Sequence, residues 1–112
     1  MPKSVVRTYS KYTQEALSLL AGLIRAARLE NKMSAQEVAD RAGISRSMLV
    51  RIEKADPKCE IGATFEVAKI VGVSLFETEP SRLAMQLEQV NEKLSLLPKS
   101  ARKTKKVVKD DF

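Results

Sequence analysis

The chain has 112 residues, enough for one domain or a small domain with tails, and its 44% apolar content suffices for a core. Two Tyr, three Phe and no Trp make that core aliphatic, and no long alternating Val/Ile/Thr run supports a sheet, so an all-α fold is expected. The formal charge of +6 sits at the ends: residues 1–12 hold +3, residues 98–112 hold +4, and 13–97 hold −1. This distribution suits either a polyanionic partner or plain solvated tails.

The composition argues against catalysis. With no His there is no His-based triad or proton shuttle, and one cysteine builds neither a disulfide nor a Cys-rich metal site. No Gly-rich phosphate loop occurs and the acids are scattered. No enzyme, catalytic residue, metal or cofactor is expected. Single-cysteine usage and the lack of a secretion signal point to a reducing cytoplasm. Ala16–Ile24 (ALSLLAGLI) has the length of a signal-peptide core, but Glu15 precedes it, Arg25 follows it and no A-x-A site is present. It is also far too short to span a bilayer. It reads as a buried helix.

In chain order, residues 1–12 form a basic arm, in which Val5 and Val6 would suit an edge strand although an unstructured segment is the default. A long helix is expected from about Thr13 to Asn31. The second starts at Ser34, which with Glu37 matches the S-x-x-E capping box, and ends at Ala42–Gly43. The third is capped by Ser45 and fades by Ala55–Asp56–Pro57. A fourth covers about Ala63–Val71 and stops at Gly72. A short fifth, Ser74–Glu77, repeats S-x-x-E. A last helix begins near Pro80 and stops before Pro98. Residues 13–77 then form the main domain, 78–97 an amphipathic helix, and 98–112 a basic flexible tail.

The segment SAQEVADRAGISRSMLVRIEK (34–54) carries the functional signal. At about 100° per residue, Met48, Leu49 and Ile52 share one side of the third helix, while Arg46, Ser47, Val50, Arg51 and Lys54 take the other. Small Ala39 lets the two helices approach, Gly43 suits a left-handed helix end, and Ile44 plugs the corner from inside. This is helix-turn-helix geometry, which holds the second helix where a major groove can receive it.

MSAQEVADRAGISRSMLVRIE (33–53), with LAGLIRAAR (20–28) and FEVAKIVGVSLF (65–76), resembles the XRE/Cro phage-repressor family. The resemblance implies a five-helix phage-repressor-like helix-turn-helix domain, here with an additional C-terminal helix and basic tail. It further implies a homodimer on double-stranded DNA at a palindromic operator. By position, Arg46, Ser47 and Arg51 would read bases and Val50 would touch a thymine methyl; an Arg bidentate to guanine typically adds about 1–3 kcal/mol of discrimination. At the start of the second helix, the amides behind Ser34 would be offered to phosphate. The family's Gln is replaced by Ala35, with Gln36 one place on. Lys54 and Lys58 flank a loop that lacks the family's usual Gly and either meet phosphates or stand as solvated rim charges. Arg28 and Glu53 would pair as a structural clamp.

Two further features remain open at this level. Leu83, Leu87, Val90, Leu94 and Leu97 recur at heptad spacing over about two heptads, and this seam either packs on its own domain or joins a second copy. Cys59, beside Lys58, could hold a reactive thiolate, but an incidental loop thiol is the more ordinary reading. Residues 61–77 after RIEKADP, and the closing KDDF, are similar to HipB-type antitoxins, which accompany HipA-type kinase toxins. That likeness implies an autoregulating antitoxin at the nucleoid; the alternative is a stand-alone dimeric repressor.

Overall fold

Three serines set where the helices begin. In a computed structural model, which describes residues 8–101, the helices are α1 (Lys11–Glu30), α2 (Ala35–Ala42), α3 (Arg46–Glu53), α4 (Ile61–Val71) and α5 (Pro80–Leu96). Ser10, Ser34 and Ser45 each accept a hydrogen bond from the amide three residues on, at 3.2, 3.0 and 3.0 Å. Each satisfies one of the amides that a helix start leaves without a partner. Because Ser10 caps, α1 opens ahead of Thr13. The capping box at α2 is only half formed: the Glu37 carboxylate accepts from Arg41 at 3.1 Å. Residues 1–7 of the arm, with Val5 and Val6, and the tail beyond Ala101 lie outside the described residues, while Lys11 and Tyr12 belong to α1 rather than to an arm.

One closure ends each of the first four helices. The amides of Met33, Ile44, Asp56 and Val73 return to the carbonyls of Arg28, Ala39, Arg51 and Ala68 at 2.8–3.1 Å, five residues back. The residue before each of them is left-handed: Lys32 (φ 56°), Gly43 (φ 70°), Ala55 (φ 62°) and Gly72 (φ 90°). Such a turn satisfies the last carbonyls and reverses the chain in very few residues. Two of the four positions use glycine, which takes this conformation without strain; the other two do not.

The all-helical expectation holds, with no strand among the described residues. The short helix over Ser74–Glu77 does not form. Leu75 and Phe76 are bends, Leu75 packs against the core, and Glu77 instead pairs with Arg82 at 3.7 Å. Four residues close at most one helical hydrogen bond, too little to offset nucleation whatever the capping signal says.

The described residues divide into two units, the first ending at Leu75 and the second beginning at Phe76. In the first, α2 packs on α3 and α4, and α1 packs on α3 and α4. Ile24, Val38, Ala39, Leu49, Ile52, Val67, Ala68 and Val71 form its aliphatic core. In the second, α5 starts at Pro80, and Glu79 accepts from the Ser81 amide and hydroxyl at 3.2 and 2.7 Å. No residue of α5 is buried; Leu83, Leu87, Val90 and Leu94 are all exposed. Among the described residues no helix is long and apolar enough to cross a membrane.

Candidate nucleic-acid interface

The side of α3 that faces away from the core is built by what its other side buries. Leu49 and Ile52 are buried, and Met48 packs against the same cluster. Arg46, Ser47, Val50 and Lys54 are thereby left exposed on one surface, with Arg51 half-buried beside them. In the turn before α3, Gly43 takes the left-handed conformation and Ile44 packs inward against the core.

An ion pair fixes the far end of α3. Arg28 of α1 donates to Glu53 through Nε at 2.6 Å and Nη2 at 2.9 Å, and through Nη1 to the Met33 carbonyl at 3.0 Å. The two side chains are only 11% and 9% exposed, so water screens the pair little. The hydrogen bonds to Glu53 raise the Arg28 guanidinium above its ordinary value against the opposing pull of burial. All three arms of the guanidinium are therefore used inside the fold, and these residues join α3 to α1.

Arg51 is held differently. Its Nε donates to Asp56 Oδ2 at 2.8 Å, and the Lys58 amide donates to Asp56 Oδ1 at 2.9 Å. The Lys58 amide first, and Arg51 second, hold the Asp56 carboxyl below its ordinary range. The same bond to Asp56 raises Arg51. Nothing in the sequence marked this pair, because it joins a helix residue to the loop beyond a left-handed turn. Gln36 is also engaged, donating to Asp40 Oδ1 at 2.9 Å. That contact follows ordinary i, i+4 spacing and was legible in principle.

The remaining candidates are exposed. Ser34 spends its hydroxyl on the Glu37 amide, which leaves the amides of Ala35 and Gln36 without a partner inside the helix. Ala35, at the family's Gln position, is half-buried against the core. Arg46, Lys54 and Lys58 make no ion pair among the described residues, so their charge is open to solvent. The surroundings of Cys59 argue against a reactive thiolate. The residue is half-buried, and burial first and the Asp56 charge second push its thiol up, with Arg51 opposing. Adjacency to Lys58 in the chain does not outweigh them.

Residues 24–75 match a family model described as helix-turn-helix. The match begins inside α1 and stops at Leu75, where the first unit ends. No curated protein sequence matches the chain. The chain thus carries an XRE-type helix-turn-helix domain, the domain of a DNA-binding transcription regulator.

Proposed function

We propose that the chain is a sequence-specific transcriptional repressor that binds a palindromic operator as a homodimer. One observation carries this reading: α3 is anchored by its buried stripe and by the Arg28–Glu53 pair while Arg46, Ser47 and Val50 remain exposed beside Arg51. Arginines on such a face donate to guanine O6 and N7, and Val50 offers an apolar contact to a thymine methyl. The amides behind Ser34, with Gln36, Lys54 and Lys58, meet backbone phosphates and set the register. The role is one of binding, in the cytoplasm and at the nucleoid, with no cofactor.

The second copy is engaged through α5. Its exposed seam of Leu83, Leu87, Val90 and Leu94 is flanked at the heptad positions by Ala84, Gln86, Asn91 and Lys93. With one charge among those four, an identical helix meets little like-charge repulsion. Two-fold pairing of this kind matches the symmetry of a palindrome.

The finer reading is an antitoxin that represses its own operon and holds a HipA-type kinase toxin. The likeness of residues 61–77 to HipB-type antitoxins supports it. The test begins with a duplex selected by the chain from a random-sequence pool. Arg51→Ala weakens binding to it by roughly 5- to 150-fold, with two chains bound per site in the parent. Undiminished affinity refutes the assignment of the α3 face. Purification from native cells then separates the two regulators: a stoichiometric kinase-like protein supports the antitoxin, and recovery of the chain with DNA alone supports the stand-alone repressor.

A further inference from the structure

The two arginines that grip carboxylates in this domain are used in opposite ways. Arg28 engages all three of its nitrogens: Nε and Nη2 go to Glu53, and Nη1 goes to a backbone carbonyl. Arg51 gives only Nε, to a single oxygen of Asp56, and neither of its terminal amino groups has a partner among the described residues. We infer that Asp56 is a positioning residue for DNA reading, holding Arg51 by its inner edge so that its two terminal amino groups are presented as a preformed donor pair. The inference rests on the proposed reading of α3.

Asp56 is fitted to this task because it is itself fixed from three directions. Its amide donates to the Arg51 carbonyl at 3.1 Å, closing α3 through the left-handed Ala55. Its Oδ1 accepts the Lys58 amide at 2.9 Å, and its Oδ2 takes Arg51 Nε at 2.8 Å. Residues 51 and 56 are thus tied twice, once through the backbone and once through side chains. The carboxylate cannot swing away from Arg51 without giving up its bond to the Lys58 amide. Guanine O6 and N7 accept a planar donor pair, which the Nη1–Nη2 edge supplies. An arginine ordered before it meets DNA does not lose that side-chain freedom on binding, an advantage of roughly 3- to 10-fold in affinity. A carboxylate near the DNA also repels phosphates, so Asp56 opposes indiscriminate binding.

The experiment compares full-length parent, Asp56→Asn and Arg51→Ala in selections from a random-sequence duplex pool. Each selected position is then measured by base-pair substitution at fixed salt. Asparagine can still accept the Lys58 amide and so keeps the turn, but it turns a donor rather than an acceptor toward Arg51. Helicity by circular dichroism confirms the fold of each variant. The expected result has three parts. Arg51→Ala abolishes preference at one base pair per half-site. Asp56→Asn weakens that same preference by roughly 3- to 10-fold. Its affinity for mixed-sequence duplex does not fall. If Asp56→Asn leaves that preference intact while Arg51→Ala removes it, the positioning role is overturned and base reading by Arg51 stands. Equal weakening at every position likewise overturns it, because that is the signature of a loosened fold. If Arg51→Ala alters no position, base reading by Arg51 falls and the inference falls with it.

Discussion

Removing Arg28 is the most direct test of how α3 is held. Arg28→Ala deletes two charge-assisted bonds to Glu53 and one to the Met33 carbonyl. It leaves a carboxylate whose side chain is only 9% exposed without its counter-ion. Breaking a buried pair from one side typically costs about 3–5 kcal/mol; a pair that keeps about a tenth of its surface in water belongs at the lower end, about 3 kcal/mol. For a domain of this size each kcal/mol moves the midpoint by about 4–8 °C, so the variant should melt about 12–24 °C lower. The assay is thermal unfolding followed by circular dichroism, with the double variant Arg28→Met/Glu53→Leu as its partner. Replacing both charges by apolar side chains removes the stranded ion, and most of the lost stability should return. An Arg28→Ala midpoint within about 4 °C of the parent refutes the reasoning. A double variant as unstable as the single one shows that geometry, not the orphaned charge, sets the cost.

Three further outcomes are expected. Lys32→Gly relieves about 1–3 kcal/mol of left-handed strain against about 0.4–1 kcal/mol lost to a freer unfolded chain, a net gain of about 0–2.6 kcal/mol, so its midpoint should rise by up to about 10–20 °C; a lower midpoint refutes this. Cys59 should react slowly with iodoacetamide at neutral pH. Its raised thiol value means that the folded state keeps the proton longer than the unfolded chain, so this contribution to stability is present below the ordinary thiol value and is lost as pH rises through the shifted one. Alkylation as fast as that of free cysteine at pH 7 contradicts it. Deleting residues 98–112, with six Lys and Arg against two Asp, should flatten the salt dependence of DNA binding by about 0.9 in the log–log slope for each phosphate that the tail neutralises. An unchanged slope assigns the tail elsewhere.

What was legible in the sequence follows from the range over which each signal acts. Ser34 and Ser45 mark helix starts because their hydroxyls bond amides three residues away, and Gly43 and Gly72 mark ends because only glycine is at ease there. Lys32 and Ala55 form the same closure, yet nothing in their side chains announces a left-handed backbone. The strain at these two positions is carried by the surrounding hydrogen bonds. The S-x-x-E at Ser74 misled in the opposite sense, since a local cap cannot make a helix that lacks the length to propagate. The exposed side of α3 was readable from the period of Met48, Leu49 and Ile52 alone. The Arg28–Glu53 pair, 25 residues apart, was reached only through family likeness, and the hold of Asp56 on Arg51 was not reached at all. Both depend on tertiary or loop geometry for which a one-dimensional pattern has no period.

α5 contributes about a quarter of the helical residues and buries none of them. A helix of 17 residues without a packed face is marginal in water, so its order depends on what covers it rather than on its own hydrogen bonds. Unfolding of the isolated chain is then the sum of two processes. α5 should fray gradually over a wide temperature range and appear as a sloping baseline, while α1–α4 should be lost in one sharp step. If a second copy covers α5, as proposed, the slope should level as protein concentration rises. A baseline whose slope levels with concentration supports the proposed pairing, and one that keeps its slope at every concentration counts against it.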